Sequence, residues 1–396
     1  MRIGYLVPEW PGQTHAFFWR ELSALRALGH TVFPFSTRRP PHSDCLHLWA
    51  AEARATTHYV FPPRVGAVAG VLAARPKGAA AALSYALSLS ESSITGRLKV
   101  AALIGCAADL VAKSNELALD HLHVHSCANA AHIAAMACLL GGPGYSLTLH
   151  GDLPVYGTDH AQKMRRARFV SVVTRPLKQQ VMSATGMPEQ RVPVVWMGVD
   201  TERFKPSEKT LEESATFTIV TVARLNATKG HKHALAAITR LRDIGINIHY
   251  LIAGDGPHRA QIERDIADLN LSDAVTLLGT CSEDDVLALL QRANAFVLPS
   301  WGFGEAAPVS VMEAMSCAIP VVCSRIGGTE DMITDNETGL LVGQRDIVGL
   351  TQALESLVRR RELCLRLGEA ARRKAIDAFD YRDSTSKIAS AFESRT

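Results

Sequence analysis

The chain has 396 residues, of which 47% are hydrophobic and 20% are charged, and its formal net charge is +3. This length and apolar content predict two globular domains with ordinary cores rather than a fibrous or low-complexity chain. Its Ala-rich stretches 66–74 and 78–89 fall short of the ~20 apolar residues of a membrane-spanning helix. No nucleic-acid-binding motif is present, so the sequence predicts no nucleic-acid partner.

Strand-like and helical segments alternate along the first half of the chain, which is typical of parallel α/β domains. The apolar run 3–7 is too short for a signal peptide and is predicted to be the first strand. The further predicted strands are 31–35, 58–61, 122–125, 146–149, 169–173 and 192–196. The predicted helices are 16–28, 65–89, 97–117, 128–140, 160–167 and 176–183.

The alternation restarts after a polar linker candidate at 206–215. The second series of predicted strands is 217–223, 248–253, 275–278, 295–298, 320–323 and 339–342. Its predicted helices are 231–242, 257–269, 283–292, 308–317 and 347–357, followed by two tail helices separated near 379–381. These patterns predict two Rossmann-like domains, 1–205 and 206–379, facing each other across a cleft. Ligands are expected there because open α/β sheets bind them at the carboxyl ends of the strands.

The stretch 299–328 has the features of an anion site between a strand and a helix. A turn containing Gly304 leads to a helix predicted to begin near Pro308, a residue suited to the first helical position. The free N–H groups and the positive dipole end at that helix start favour a phosphate. Glu305 in the loop is placed to bind hydroxyl groups, and Glu313 on the helix to reach a ribose. The stretch therefore predicts a sugar-nucleotide site.

A second motif places two cations, Arg224 and Lys229, in a short loop directly after the first strand of the second domain. A planar guanidinium and a compact ammonium suit a diphosphate, and they can stabilise the charge on a departing nucleoside diphosphate without a metal. A pair of surface cations is the alternative interpretation. Cations are unfavourable at a helix N-terminus, which favours the functional role.

A third motif, Gly254-Asp255-Gly256, also joins a strand to a helix, and its glycines allow the backbone to pass close to a ligand. The dinucleotide fingerprint GxGxxG is absent at this position. It is also absent after the first strand, where Pro-Glu-Trp-Pro-Gly-Gln-Thr stands at 8–14. These absences argue against a nicotinamide or flavin enzyme.

Histidines mark the first domain. His150 ends a strand, where it is expected to hydrogen-bond a transferred sugar or stabilise charge, with a structural histidine as the equal alternative. His121, His123 and His125 alternate along another strand and therefore face one side of the sheet. A zinc site is conceivable there, but no nearby Cys, Asp or Glu in the sequence completes a ligand set. We therefore predict no metal site.

Charge and cysteine usage suggest the cellular setting. Residues 1–200 contain 19 Lys and Arg against 12 Asp and Glu, so the first half is basic. This half could face an anionic lipid surface or a pyrophosphate-bearing acceptor, with ordinary surface charge as the alternative. The eight cysteines include no CxxC pair and most lie in apolar segments. They are predicted to be reduced, packed thiols of a cytosolic protein.

Taken together, these motifs resemble the retaining GT-B glycosyltransferases of family four, which include bacterial mannosyl- and glucosyltransferases of polysaccharide and glycolipid synthesis. The resemblance rests on the Glu305–Glu313 and Arg224–Lys229 spacings, the Gly-Asp-Gly-Pro turn at 254–257 and the run Gly-Val-Asp-Thr-Glu-Arg-Phe at 198–204. It spans the whole second domain and some first-domain landmarks. Pro-Gly-Gln-Thr-His at 11–15 resembles exopolysaccharide-type members, whereas Ala318 replaces the glycine usual before Ile-Pro.

The resemblance implies the role of each site residue. Glu313 would bind the nucleotide ribose and Glu305 the hydroxyls of the donor sugar, with His150 near that sugar. The remaining binding groups would be Arg224 and Lys229 on the diphosphate, the N–H groups of Val309 and Ser310 beside them, and Gly279 to Cys281 at the base. The family generally needs no metal or other cofactor and retains the anomeric configuration. Its final helix, here 380–396, crosses back to the first domain.

The leading hypothesis is therefore transfer of a hexose from a nucleoside-diphosphate sugar to a polysaccharide or lipid-linked saccharide. The protein would be cytoplasmic, with peripheral contact to the inner membrane surface as an open possibility. A nucleotide-sugar 2-epimerase of the same fold and a non-catalytic sugar-nucleotide binding protein are the alternatives. The sequence does not distinguish UDP from GDP, and it leaves the sugar, acceptor, linkage position, pathway and oligomeric state open.

Overall fold

A computed structural model describes residues 1–41, 45–207, 216–302 and 305–393, and the chain divides into two compact units. Unit 1 comprises Met1–Trp196 and the last residues from Ser384, and unit 2 comprises Met197–Asp383. The first division therefore lies nine residues before the one expected from the linker at 206–215, most of which (208–215) lies outside the described residues. None of the helices in the described part of the chain is long and apolar enough to cross a membrane.

Hydrogen bonds to backbone groups explain why the division comes before the linker. The N–H of Val199 donates to the carbonyl of Phe379 at 2.8 Å. The guanidinium of Arg372 donates to the carbonyls of Thr201 and Phe204, each at 2.8 Å. These bonds attach the segment after Trp196 to the long helix of unit 2, and no local sequence pattern encodes them.

Unit 1 is built on six parallel strands, β1 (Arg2–Glu9), β2 (Thr31–Arg38), β3 (His58–Tyr59), β4 (His121–Val124), β5 (Gly144–Leu149) and β6 (Val170–Val172). Their order in the sheet is β3-β2-β1-β4-β5-β6. Strand β1 therefore pairs on one side with β2 and on the other with β4, and Ile3 is in register with both Val32 and His121. This order is that of a doubly wound Rossmann sheet, whose switch point lies between β1 and β4.

The helices of unit 1 differ from prediction in three places. Segment 65–89 forms two helices because Pro76 lacks an N–H and disfavours a helical conformation at Arg75, whose φ is −133°. Segment 97–117 likewise forms two helices, and a helix over 50–56 was not predicted. The helices are α1 (Ala16–Ala27), α2 (Ala50–Thr56), α3 (Val65–Ala74), α4 (Pro76–Leu87), α5 (Ile94–Ala102), α6 (Ile104–Glu116), α7 (Asn129–Leu139), α8 (His160–Met164) and α9 (Arg175–Thr185).

The predicted strand at 192–196 is wrong. Only an isolated bridge joins Val194 to Val172 of β6. The physical reason is Pro193, which has no N–H to donate to a ladder. The sheet of unit 1 therefore ends at β6.

Unit 2 repeats the architecture with β7 (Phe217–Val222), β8 (Ile248–Ala253), β9 (Val275–Gly279), β10 (Ala295–Leu298), β11 (Val321–Ser324) and β12 (Leu340–Val342). The sheet order is β12-β11-β10-β7-β8-β9, again a doubly wound sheet, with its switch point between β7 and β10. Strand β10 is buried along its whole length, as expected for a parallel strand covered on both faces. The predicted α/β class with two Rossmann-like domains is confirmed.

The helices of unit 2 follow the predicted pattern, with the unpredicted short helix α14 added after β11. They are α10 (His231–Asp243), α11 (Arg259–Asp268), α12 (Glu283–Leu290), α13 (Val309–Ser316), α14 (Thr329–Met332), α15 (Ile347–Arg359) and α16 (Arg361–Phe379). Helix α12 begins with a capping box in which Ser282 and Asp285 satisfy each other's backbone N–H groups. The last helix, α17 (Tyr381–Glu393), begins in unit 2, and from Ser384 it belongs to unit 1. There Phe392 packs in the core, its ring 5.2 Å from that of His123.

Candidate functional site

The candidate site is the carboxyl edge of the sheet in unit 2, at the switch point. After β7 the chain makes a short 3-10 turn, Ala227–Lys229, and then Gly230 adopts a φ of +74° before α10 begins. A Cβ at Gly230 would lie 1.9 Å from the carbonyl oxygen of Pro299, so only glycine allows this loop to touch the end of β10. Arg224 is exposed in the same loop, and Lys229 is partly buried.

Glu305 meets this loop from β10. Its carboxylate is buried, and Oε2 accepts hydrogen bonds from the ammonium of Lys229 at 2.5 Å and from the hydroxyl of Ser300 at 2.8 Å. The structure thus brings together two of the predicted site residues, which are separated by 76 positions in the chain. Gly304, the residue before Glu305, lies outside the described residues.

Trp301, in the loop after β10, is hydrogen-bonded to the loop after β7. Its backbone N–H donates to the carbonyl of Thr228 at 2.8 Å, and its indole N–H donates to that of Ala227 at 2.9 Å. The guanidinium of Arg345 lies over the indole ring, 3.7 Å from its centroid. Ser300, Trp301 and Arg345 were not singled out from sequence, since nothing local marks them as partners of the loop after β7.

A glycine turn after β11 supports Glu305 from behind. Gly327 has a φ of +56°, and a Cβ there would lie 1.8 Å from the carbonyl oxygen of Glu305. The N–H of Gly328 donates to the carbonyl of Ala306 at 2.7 Å. The Gly-Gly pair after an apolar strand was a sequence signal for close backbone approach, but the residue approached could not be read from it.

Helix α13 presents its first turn at the same edge. Pro308 is its N-cap, and no side chain within the described ranges caps the first turn. Val309 and Ser310 therefore begin the helix with N–H groups that have no partner within it, at the positive end of the helix dipole. Glu313 is the fifth residue of the helix, and its side chain is buried. Its role in binding a ribose stays a prediction.

Glycines after β8 and at the end of β9 lie at the same edge. Gly254, with a φ of +137°, donates its N–H to the carbonyl of Gly279 at 2.7 Å, and a Cβ on Gly254 would lie 1.9 Å from the carbonyl oxygen of Ala223. A Cβ on Gly256 would lie 2.4 Å from the carbonyl oxygen of Leu225. The thiol of Cys281 lies 3.6 Å from the carbonyl oxygen of Gly279. These glycines thus have a packing role, and the predicted base-binding role of Gly279 and Cys281 is untested.

His150 belongs to unit 1, where it directly follows β5. Burial lowers its pKa to about 3, with the neighbouring His125 acting in the same direction. Its Nε2 lies 3.2 Å from Nδ1 of His125, and its ring packs against Phe17 and Phe18. His150 is therefore a neutral imidazole held in an aromatic environment.

The expectation that no carboxylate lies near the histidines of β4 is wrong. Glu21 of α1 comes close to His123 and His125, and one ligand atom from each of the three lies within 4.8 Å of the others. His123, however, has hydroxyl partners for both ring nitrogens: Ser146 at 2.7 Å from Nδ1 and Thr148 at 2.9 Å from Nε2. Both ring nitrogens of His123 therefore already have hydroxyl partners, and we assign no metal to this group.

Comparison with known sequences identifies related proteins. Residues 202–374, within unit 2, match the family model described as glycosyl transferases group 1. The chain is 32% identical over 216 residues to WcaL of Escherichia coli (strain K12), a candidate colanic acid biosynthesis glycosyltransferase, and the match covers 53% of this chain and 52% of WcaL. It is 31% identical over 221 residues to the amylovoran biosynthesis glycosyltransferase AmsK of Erwinia amylovora, covering 55% and 54%. The chain spans about half the length of the curated relatives it matches.

Solved structures resemble the chain over nearly its full length. Anabaena Alr3699/HepE in complex with UDP-glucose is similar with a TM-score of 0.76 at 15% identity, covering 99% of both chains. WaaG, a glycosyltransferase involved in lipopolysaccharide biosynthesis, is similar with a TM-score of 0.67 at 16% identity, covering 98% of both. Identities this low show the fold alone, and they confirm the predicted GT-B fold class.

Proposed function

We propose that this chain, whose residues 202–374 match the model of glycosyl transferases group 1, is a glycosyltransferase that moves a hexose from a nucleoside-diphosphate sugar to a saccharide hydroxyl. The observation that carries the proposal is the contact between Lys229 and Glu305 at the switch point of unit 2. Ligands of doubly wound sheets bind at such a crevice. The contact supplies a cation for a diphosphate and an acceptor-only carboxylate for sugar hydroxyls.

A bound donor would exchange the partners of this pair. In the structure Lys229 and Glu305 neutralise each other. A diphosphate oxygen would replace the carboxylate at Lys229, and a sugar hydroxyl would replace the ammonium at Glu305. Both charges then keep a partner, so neither is left buried and unpaired. Arg224 and the first N–H groups of α13 would share the charge of the diphosphate.

We further propose that transfer retains the anomeric configuration and needs no metal. Lys229, Arg224 and the N-terminus of α13 would stabilise the negative charge that develops on the leaving diphosphate. An oxygen of that diphosphate would accept the proton of the attacking hydroxyl on the same face of the sugar. The proposed acceptor is a polysaccharide or a lipid-linked saccharide, and the relatives AmsK and WcaL are named for amylovoran and colanic acid biosynthesis. Proton NMR of the product would show whether the new linkage keeps the donor's configuration.

Donor binding is tested by a thermal-shift panel of UDP and GDP sugars. The UDP-glucose complex of HepE and a GDP-mannose-dependent mannosyltransferase of Mycolicibacterium smegmatis, 27% identical over 255 residues, support including both bases. We expect one donor to stabilise the fold by about 2.7 kcal/mol at one hundred times its Kd. Lys229→Met should abolish this shift, whereas Lys232→Met, which removes an exposed lysine of α10, should keep it.

An absence of stabilisation by every nucleotide sugar would contradict the proposal. If a donor binds, incubation with saccharide acceptors should consume it. Release of an epimerised nucleotide sugar without any acceptor would indicate a 2-epimerase instead. Binding without consumption under any condition would indicate a non-catalytic binding protein.

We also propose peripheral contact between unit 1 and the cytoplasmic face of an anionic membrane. No Asp or Glu occurs between Glu52 and Glu91, and this interval contains α3 and α4. Basic residues there and large apolar side chains exposed on or beside α3, α4 and α5 suit an anionic lipid surface. The exposed apolar residues are Phe61, Val65, Leu83, Leu87, Ile94 and Leu98.

Vesicle binding measures this contact. We expect the double variant Ile94→Glu/Leu98→Glu to bind vesicles of phosphatidylglycerol at least about tenfold more weakly than the wild type, since each charge near the surface changes binding by about 1 kcal/mol. Val348→Glu, which places the same charge on an exposed valine of unit 2, should bind as the wild type does. Equal binding of all three proteins, or no preference over phosphatidylcholine, would contradict the contact.

A further inference from the structure

Three side chains in unit 1 contact one another in succession, although they are far apart in the sequence. They are Glu21 on α1, His125 after β4 and His150 after β5. Oε1 of Glu21 lies 3.2 Å from Nε2 of His125, and Nδ1 of His125 lies 3.2 Å from Nε2 of His150. The contact of Glu21 with His125 is bent away from hydrogen-bond geometry, so it acts mainly through charge. His125 is fully enclosed, which strengthens that charge effect.

The two imidazoles meet edge to edge. Their centroids are 5.4 Å apart and their planes differ by 15°. The two nitrogens are only 3.2 Å apart, so they lie between the two centroids and the rings touch at their edges rather than at their faces. Nearly coplanar rings with a nitrogen of each in contact have the geometry of an N–H···N hydrogen bond, in which one ring donates and the other accepts.

The proton positions along this line follow from the carboxylate. Burial lowers the pKa of both His125 and His150 to about 3, so each ring is neutral and carries one N–H. Oε1 of Glu21 already accepts the hydroxyl hydrogen of Tyr5 at 3.1 Å, so it acts as an acceptor. An acceptor facing Nε2 of His125 favours the proton there, which leaves Nδ1 of His125 to accept from Nε2–H of His150.

The remaining ring nitrogen of His150, Nδ1, is the atom available to a ligand. Its Nδ1 is enclosed and has no hydrogen-bond partner among the described residues. The proton count leaves a lone pair on that atom. A buried lone pair without a donor costs free energy, and a ligand that supplies a donor recovers it.

We propose that Glu21, acting through His125, holds His150 in the tautomer protonated on Nε2, so that Nδ1 is an acceptor for a sugar hydroxyl. Glu21 and His125 are then positioning residues, and His150 is the group that contacts the substrate. The identity of the substrate rests on the proposed function, whereas the tautomer does not. In the opposite arrangement, which a rise in the pKa of Glu21 on burial favours, a protonated Glu21 donates to Nε2 of His125. His125 then donates from Nδ1 to Nε2 of His150, and the proton of His150 lies on Nδ1.

Nitrogen NMR of protein labelled with ¹⁵N-histidine distinguishes the two arrangements, with His150→Gln used to assign the signal. We expect Nδ1 of His150 to be unprotonated in the wild type and in Tyr5→Phe, which removes only the hydroxyl that contacts Glu21. In Glu21→Gln the amide can donate to His125, so His150 should gain population with the proton on Nδ1. A wild-type His150 protonated on Nδ1 would overturn the proposal, even if Glu21→Gln failed to fold. A folded Glu21→Gln with an unchanged tautomer would overturn it as well.

Activity provides the second readout. If the proposed transfer occurs, Glu21→Gln should lower kcat about tenfold with little change in KM for the donor, since one substrate hydrogen bond is mispaired. Tyr5→Phe should keep kcat within about twofold of the wild type by the same measure. If the wild type transfers no sugar, the proposed function fails while the tautomer assignment stands on the NMR result. Equal kcat for Glu21→Gln and the wild type would contradict the positioning role.

Discussion

Glu305→Gln is expected to lose sugar transfer by about 100-fold or more while binding the nucleoside diphosphate at least as tightly as the wild type. The carboxylate is the acceptor proposed for donor hydroxyls, and an amide is a weaker acceptor that also presents a donor. The same carboxylate accepts a hydrogen bond from the ammonium of Lys229 at 2.5 Å. Its neutralisation frees that ammonium for the diphosphate.

The measurement pairs transfer kinetics with calorimetric binding of the nucleoside diphosphate alone. Glu330→Gln is the matched control, because Glu330 is an exposed carboxylate of unit 2 whose partner is Arg325. It should leave both quantities unchanged. If Glu305→Gln transfers sugar at the wild-type rate, the proposed role of Glu305 in the reaction is wrong. Loss of diphosphate binding in Glu305→Gln would show that the Lys229–Glu305 pair organises the loop rather than competing with the ligand.

Unit 1 is expected to unfold as the pH falls from about 6.5 to 5, while unit 2 persists to lower pH. The cause is a set of buried neutral histidines in unit 1. Burial lowers the pKa of each, to about 4 for His15, His121 and His132 and to about 3 for His125 and His150. In unit 2, burial lowers the pKa of His231 to about 4.

The direction of the effect follows from where each state binds protons. Below about pH 6.5 the unfolded chain protonates these five histidines, whereas the folded unit keeps them neutral until the pH reaches 3 to 4. These histidines therefore do not affect the free energy of unfolding above about pH 6.5, and they lower it as the pH falls below that value. At pH 5 each such histidine lowers the free energy of unfolding by about 2 kcal/mol. Five of them together match the whole stability of an ordinary domain, about 5–15 kcal/mol.

Tryptophan fluorescence follows this transition. Trp10, Trp19, Trp49 and Trp196 lie in unit 1, and Trp301→Phe removes the tryptophan of unit 2. In that background His132→Gln should move the midpoint to lower pH, because one titrating histidine is gone. His258→Gln, in unit 2, should leave the midpoint unchanged. The role of the buried histidines would be contradicted if His132→Gln left the midpoint of acid unfolding unchanged, or if the fluorescence stayed constant down to pH 4.

The sequence by itself determined the alternation of strands and helices and the position of most elements. Buried parallel strands such as β10, which lies between Asn294 and Pro299, are short apolar runs bounded by polar residues or Pro, and that pattern is local. It also indicated the loops that carry Lys229, Glu305 and His150, because they follow predicted strands. The division between the domains was displaced, since Arg372 attaches residues after Trp196 to unit 2 through bonds that span over 160 positions.

Tertiary structure alone decided which of these loops meet. The sheet order places β7 beside β10, so Lys229 contacts Glu305 across 76 positions, and Gly327 comes to lie behind Glu305. Glu21 reaches His125 and, through it, His150 in the same way, which is why a sequence search for a nearby carboxylate missed it. The reason is physical: spacing reports the face and the period of one element, whereas strand order and helix packing decide which distant side chains share a buried space.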